Sequence, residues 1–138
     1  MPTAGESPSI VLDASVVVAL LIDSGSIGLW AEQHVTGARL LAPDHLHVEC
    51  SNALRRHERA GRLDLPQAQS AYRRLLTMPI TLIRFELLAQ RVWELRHVLT
   101  TYDAAYVALA EELGVPLATL DSGILKAPGT RCVMRTFE

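Results

Sequence analysis

The sequence has few cysteines and few aromatic residues. Only 2 of its 138 residues are cysteine, and Cys50 and Cys132 lack the CxxC or CxxH spacing that is typical of zinc and redox sites. Aromatic residues make up 5% of the chain, whereas hydrophobic residues make up 49%. The apolar residues are therefore mainly Val, Leu, Ile and Ala, which suits strands covered on both faces by helices.

Long apolar runs are also missing. The most apolar stretch, residues 10–22, is interrupted by Asp13 and Ser15, and its 13 residues are fewer than the roughly 20 that span a bilayer. Residues 1–9, which precede it, contain no basic residue that would begin a secretory signal. We therefore expect a cytoplasmic protein without a membrane partner.

The length and charge of the chain indicate one compact unit. A chain of 138 residues is long enough to bury a core but short for two domains. Its net charge of −2 provides no general attraction to nucleic acid. We expect residues 1–138 to form a single domain, in which residues 1–9 are a flexible tail.

Short apolar runs rich in strand-forming residues alternate with segments of helical periodicity. Strands separated by helices imply right-handed crossovers and a parallel sheet, so the fold class is α/β. The predicted strands are residues 10–12, 40–42, 80–83, 117–120 and 132–134. The predicted helices are residues 16–21, 29–35, 45–60, 67–78, 87–99 and 102–113.

Two aspartates follow predicted strands directly. Asp13 comes after residues 10–12, and Asp121 comes after residues 117–120. The carboxyl ends of parallel strands form the edge where open α/β sheets bind ligands. Aspartate is also a favoured helix N-cap, so these two residues alone leave a purely structural role open.

Two further acids lie on apolar helix faces. Glu49 shares a face with Leu46 and Ala53, and Asp103 shares one with Val107. A carboxylate is costly to bury on such a face without a partner. These positions therefore favour a functional site over a simple cap.

The directions of the elements bring the four acids to one edge of the sheet. The helix with Glu49 begins where the second strand ends, so Glu49 lies about 8 Å from that start. The helix with Asp103 leads into the strand before Asp121 and must run antiparallel to it. Its cap is assigned to Thr100 or Thr101, which leaves Asp103 free to face the site.

Four neighbouring carboxylates repel one another unless a cation neutralises them. Ligands that are all oxygen favour Mg²⁺ or Mn²⁺, ions that commonly serve phosphoryl chemistry. Once these four acids are neutralised, 13 basic residues face 11 remaining acids. A trio of His45, His47 and Glu49 is an alternative metal site, although His47 points away from the other two on a helix.

The sequence resembles the PIN domains and, within that family, the VapC-type toxins of type II toxin–antitoxin pairs. The resemblance covers most of the chain. It rests on Ile-Val-Leu-Asp-Ala-Ser at residues 10–15 and on the segment around Glu49, residues 48–54. It is most specific in the block at residues 102–110 and in residues 114–121.

The resemblance implies a three-layer α/β/α sandwich and an Mg²⁺- or Mn²⁺-dependent endoribonuclease, which hydrolyses RNA with a metal-activated water. It also implies a homodimer and a cognate VapB-type antitoxin. Ser15 and Thr119 match positions where hydroxyl groups support the acids or the water. The catalytic and metal-ligand positions of the family match Asp13, Glu49, Asp103 and Asp121.

Basic residues cluster at the end of the helix that carries Glu49. Arg55, Arg56 and Arg59 are candidates for contact with RNA phosphates. Arginine near a helix C-terminus is also favourable to the helix dipole, and an antitoxin is an equal candidate for this surface.

Two other functional classes match the acidic residues of this sequence less well. A non-catalytic PIN-like module that binds RNA or protein typically loses one or more acids, whereas this chain keeps four. Receiver domains and haloacid dehalogenases also place Asp after the first strand. They need an adjacent acidic pair or Asp-x-Asp, and the chain reads Asp13-Ala14-Ser15 there.

Overall fold

The computed structural model describes residues 7–138 of the chain. The predicted flexible tail at residues 1–9 falls mostly on residues 1–6, which lie outside the described residues. Ser9, the last residue of that predicted tail, is the first residue of strand β1. The Pro8 carbonyl accepts a hydrogen bond of 2.8 Å from the Arg39 amide, so the residue before β1 is bound to the second strand.

Five parallel strands form the central sheet of the described chain, in the order β3-β2-β1-β4-β5. The chain adds strands on one side of β1 and then crosses to its other side. The edge between β1 and β4 is therefore the point where the strand order reverses, the usual ligand site of such sheets. The strands are β1 Ser9–Leu12, β2 Arg39–Pro43, β3 Ile80–Ile83, β4 Leu117–Ala118 and β5 Met134–Arg135.

Helices pack in two groups around this sheet. Helix α1 contacts α2, α3 and α4, whereas α5 packs on α6, which in turn contacts β1 and β2. This arrangement confirms the predicted α/β sandwich. The helices are α1 Ala14–Ile22, α2 Ser26–Val35, α3 Leu46–Arg59, α4 Leu65–Thr77, α5 Ala89–Glu94, α6 Thr101–Leu113 and α7 Ser122–Lys126.

Helix α6 is buried along its middle. Residues 104–110 are all buried, because small Ala side chains let the helix approach the sheet closely. The Thr100 hydroxyl caps the helix by accepting a hydrogen bond of 3.2 Å from the Asp103 amide. Gly114 ends the helix at φ 64°, a left-handed conformation that favours glycine.

The predicted helix at residues 87–99 is wrong in extent. A 3-10 turn covers Phe85–Leu87, α5 ends at Glu94, and hydrogen-bonded turns continue to Leu99. Leu88, Val92, Leu95 and Leu99 are nevertheless all buried. The apolar spacing thus correctly predicts which side chains face the core. It does not identify a helix, because turns with i→i+3 hydrogen bonds place side chains on one face as well.

The strands also differ in detail from the prediction. Strand β3 is the edge of the sheet, where Thr81 and Leu82 are exposed, so this run is not buried on both faces. Pairing in β4 ends two residues early at Ala118, and β5 begins at Met134. The short helix α7, directly after Asp121, lay below the length that periodicity detects.

Over residues 7–138, each helix falls short of the length and apolar character needed to cross a membrane by itself. Helices α1 and α2 meet the requirement only when they are taken together, and the chain bends by 115° between them.

Candidate metal centre

The four predicted acids line one cleft at the carboxyl edge of the sheet. The cleft has a volume of about 350 Å³ and lies beside the ends of β1 and β4. Each acid reaches it from a different element: the end of β1, the first turn of α3, the first turn of α6 and the start of α7. These acids are Asp13, Glu49, Asp103 and Asp121.

Asp13 is buried and does not act as a helix cap. Its side chain is 4% exposed and makes no capping hydrogen bond to α1. Instead, Oδ2 accepts hydrogen bonds from the Ser15 hydroxyl at 2.5 Å and the Thr119 hydroxyl at 3.0 Å. Burial raises the pKa of Asp13, the two hydroxyl groups lower it, and the charge of Glu49 adds to the rise.

The two hydroxyl groups also join the ends of β1 and β4. The Ser15 oxygen accepts a hydrogen bond of 3.0 Å from the Leu120 amide, and the Thr119 oxygen accepts one of 3.0 Å from the Asp121 amide. The strand pairing has already ended at this point. Side-chain hydrogen bonds therefore take over from the strand ladder and fix the spacing between Asp13 and Asp121.

Asp121 has the structural role that the sequence left open, and it lines the cleft as well. Its Oδ1 accepts a hydrogen bond of 3.0 Å from the Ile124 amide and caps α7. Cap and cleft therefore use the same carboxylate and are not alternatives.

The pKa of Asp103 is raised by burial and by its acidic neighbours. Burial, followed by the charges of Asp121, Asp13 and Glu49, raises it to about 6. The hydroxyl of Thr100 opposes this rise. The other three carboxylates therefore lie close enough to Asp103 to disfavour its charged form.

Glu49 is held by an aromatic neighbour that the sequence did not indicate. The buried Tyr106 hydroxyl donates a hydrogen bond of 2.9 Å to Glu49 Oε1. His45 Nε2 lies 2.8 Å from the same oxygen, as a close ion pair without the alignment of a hydrogen bond. Burial lowers the pKa of His45, but the Glu49 carboxylate raises it more strongly.

The histidine-based alternative receives no support from the cleft. Neither His45 nor His47 lines it. The ring of His45 packs edge-on against Tyr102 and Tyr106, with centroids 5.7 and 5.2 Å away. Within residues 7–138, the acid of the cleft that His45 pairs with is Glu49.

The donor set suits a hard cation. All four groups are carboxylates, and such oxygen ligands favour Mg²⁺ or Mn²⁺ over softer metals. Among the residues from 7 onward, no three acidic, histidine or cysteine side chains converge as a ready-made metal cage. The four acids line the cleft from four separate elements.

Arg56 is the only one of the three predicted RNA-contact arginines that lines this cleft in residues 7–138. His57 lines it too. Arg55 lines a separate groove between α3 and α4, and Arg59 lines neither. Arg56 follows Glu49 by seven residues, which puts both on one helix face, so the spacing contained this signal.

Comparisons with known proteins agree with this geometry. The family model of the PIN domain matches residues 10–129. Ribonuclease VapC9 of Mycobacterium tuberculosis is 35% identical over 126 residues, which is 89% of this chain and 94% of the relative.

Solved structures share the fold at lower identity. VapC20 of M. tuberculosis, described as a toxin that cleaves the sarcin–ricin loop, superposes with a TM-score of 0.65 at 20% identity, covering 90% of this chain and 98% of the other. VapBC2 of Rickettsia felis, solved with a DNA fragment from their promoter, gives 0.66 at 14% identity, covering 94% and 99%.

Proposed function

This chain belongs to the PIN domain family as a VapC-type toxin endoribonuclease, and we propose that Asp13, Glu49, Asp103 and Asp121 form its metal-binding active site. The observation that carries the proposal is that four carboxylates from four separate elements line one cleft. They are separated by up to 108 positions in the sequence, so no local structural need explains why they meet. Ribonucleases of this family are metal-dependent.

We propose Mg²⁺ or Mn²⁺ as the ion. Both prefer oxygen ligands, and the cleft offers carboxylates rather than thiolates or imidazoles. When bound, such an ion supplies charge stabilisation to a phosphate and lowers the pKa of a water. Asp13, Asp103 and Asp121 would hold it, with Glu49 as a direct ligand or through water.

The neighbouring residues orient and charge these acids. Ser15 and Thr119 fix Asp13 through one oxygen, so that the other oxygen makes no hydrogen bond within the described chain. Asp103 lies in the first turn of α6, where the helix dipole favours a negative charge. A raised pKa at Asp103 means that binding a cation also displaces a proton below about pH 6.

RNA is the proposed substrate, and Arg56 is its proposed contact in the cleft. Its guanidinium is positioned to attract a phosphate next to acids that would otherwise repel it. Arg55 and Arg59 are weaker candidates, since they lie outside the cleft. Attack of water on the phosphate with the 3′ oxygen as the leaving group would leave a 5′-phosphate and a 3′-hydroxyl.

A VapB-type antitoxin and a second copy of the chain are the proposed protein partners. Exposed apolar side chains on α4, which include Leu65, Tyr72 and Leu76, provide surface for a protein. Co-purification with the product of the adjacent open reading frame tests the antitoxin. Light scattering of the isolated chain tests the dimer, and a monomer at micromolar concentration would contradict it.

The catalytic proposal is tested by RNA cleavage with Mg²⁺ or Mn²⁺, with EDTA, and with Asp13→Asn. We expect EDTA and Asp13→Asn each to abolish cleavage. Asp44→Asn is the matched control, because Asp44 is an exposed carboxylate outside the cleft. Cleavage that persists in Asp13→Asn, or in EDTA, would overturn the assignment.

A further inference from the structure

One oxygen of Glu49 receives two polar contacts from neighbouring side chains. The Tyr106 hydroxyl donates to Oε1 at 2.9 Å, and His45 Nε2 lies 2.8 Å from that same atom. Within the described residues, Oε2 makes no hydrogen bond. The side chain of Glu49 is therefore fastened at one atom and available to a ligand at the other.

The same division occurs at two of the other acids. Asp13 uses Oδ2 for both of its hydroxyl contacts, and Asp121 uses Oδ1 for the cap of α7. For each of the two, the second oxygen makes no hydrogen bond to residues 7–138. The recurrence across three elements indicates that the protein orients its carboxylates to present one oxygen each.

Tyr106 is suited to hold the Glu49 side chain in one orientation. Its side chain is 0% exposed, and it projects from α6, whose residues 104–110 are all buried. A phenol carries its proton at neutral pH, so the Tyr106 hydroxyl serves as a donor to the carboxylate. The ring cannot swing away to solvent without opening the core.

We propose that Tyr106 is a positioning residue, which acts with His45 to hold Oε1 of Glu49 and so presents Oε2 as the oxygen that serves the cation. This inference rests on the proposed metal site. Glu49 has one more rotatable bond than the aspartates, so an unfastened side chain would lose more conformational freedom on binding. Groups that orient a ligand in this way typically change metal affinity by about 10-fold or more.

The test is calorimetric titration of the metal-free full chain with Mn²⁺. Tyr106→Phe removes only the hydroxyl, and we expect the dissociation constant to rise about 10-fold. Tyr102→Phe is the matched control, because the Tyr102 hydroxyl makes no hydrogen bond within the described residues. We expect its affinity to equal that of the wild type.

A double-mutant cycle separates positioning from a general structural effect. In a Glu49→Ala background, Tyr106→Phe is expected to leave the affinity for Mn²⁺ unchanged, because its target is gone. A similar loss in both backgrounds would overturn the proposal. In cleavage assays, Tyr106→Phe should raise the Mn²⁺ concentration needed for half-maximal rate, and saturating Mn²⁺ should restore most of kcat.

The outcomes distinguish this proposal from the function it depends on. If the wild type binds no Mn²⁺, both proposals fail. If the wild type binds and Tyr106→Phe binds equally well, only the positioning role fails. Should Tyr106→Phe prove too unstable to purify, His45→Phe removes the other contact on Oε1 and keeps the ring packing. Unchanged affinity in that variant would also overturn the proposal.

Discussion

The hydroxyl of Thr119 donates a hydrogen bond of 3.0 Å to Oδ2 of Asp13, across 106 positions of sequence. The oxygen of that Thr119 hydroxyl also accepts a hydrogen bond from the Asp121 amide. Thr119 is 0% exposed, so water cannot replace either bond. One buried side chain thereby sets the relative placement of two proposed ligands that come from different strands.

Thr119→Val should therefore affect both stability and activity. Valine has nearly the same shape, but it leaves the Asp121 amide without its acceptor and removes one of the two hydroxyl donors to the buried Asp13 carboxylate, which costs about 1–3 kcal/mol. Urea unfolding of the metal-free protein measures this loss. Thr36→Val is the control, because the Thr36 hydroxyl is exposed and bonds only to a backbone carbonyl. Its effect should stay within about 0.5 kcal/mol, and an equal loss in both variants would contradict the assigned role.

Asp103→Asn should stabilise the metal-free protein at neutral pH. The folded-state pKa of about 6 exceeds the usual 3.8, so folding favours the protonated acid. The wild type accordingly loses stability as pH rises from about 4 through 6, whereas the amide does not. We expect Asp103→Asn to raise Tm by about 2–4 °C at pH 7.

The advantage of Asp103→Asn should vanish near pH 4, where the wild-type acid is protonated. Calorimetry of both proteins with EDTA at the two pH values measures it. With Mn²⁺ present the order should reverse, because the wild type gains a ligand. A gain that is the same at pH 4 and pH 7 would show that ionisation of the buried Asp103 carboxyl is not its cause.

Arg56→Ala should weaken RNA binding with little effect on kcat at saturating substrate. Removing one exposed phosphate contact should raise KM about 5-fold. The slope of log affinity against log salt should fall by about 0.7 to 1. Arg55→Ala provides the comparison, since Arg55 precedes it on the same helix and lines a different groove. Equal effects of the two variants would mean that RNA is not held through the cleft.

Glu111→Gln should loosen the attachment of the C-terminal segment. Glu111 accepts hydrogen bonds from Arg91 Nε and the Arg131 amide, both at 2.7 Å. Burial raises its pKa, but these partners outweigh burial and leave it lowered. Its contribution is therefore present above about pH 4.5 and is lost as pH falls further.

Loss of the charge at Glu111 should cost about 1 kcal/mol at pH 7. Urea unfolding at pH 7 and pH 3.5 measures it, and the difference from wild type should shrink at the lower pH. Glu112→Gln, an exposed neighbour on α6, should change little. A constant difference at both pH values would point to packing rather than charge.

The acidic cleft could be predicted because its signal is local. Asp13 and Asp121 follow apolar runs, and Glu49 and Asp103 interrupt apolar helix faces, so each stands out within a few residues. The role of Tyr106 could not be predicted in this way. The spacing of Tyr106 among apolar residues predicts only that its ring is in the core. Its hydroxyl contacts Glu49, which is 57 positions away in the sequence, and no local pattern indicates that pairing.

The fold was predictable where burial dictates the pattern. Residues 104–110 read as a helix and are one, whereas residues 87–99 satisfy the same apolar spacing with turns. Periodicity records which side chains face the core and not which carbonyl each amide contacts. The bounds of strand β3 match the prediction, but its burial on both faces was predicted wrongly. An apolar run does not reveal whether a further strand will pair beside it.

The cap of α7 gives the site a spectroscopic reporter. The Ile124 amide donates to Oδ1 of Asp121, and Ile124 itself is 0% exposed. The amide proton of Ile124 exchanges with solvent only when its hydrogen bond to Asp121 is broken. The rate of its exchange with deuterium therefore measures how often this edge of the sheet opens. An ionised carboxylate has no exchangeable proton of its own. The amide resonance of Ile124 therefore reports the motion of the Asp121 carboxylate.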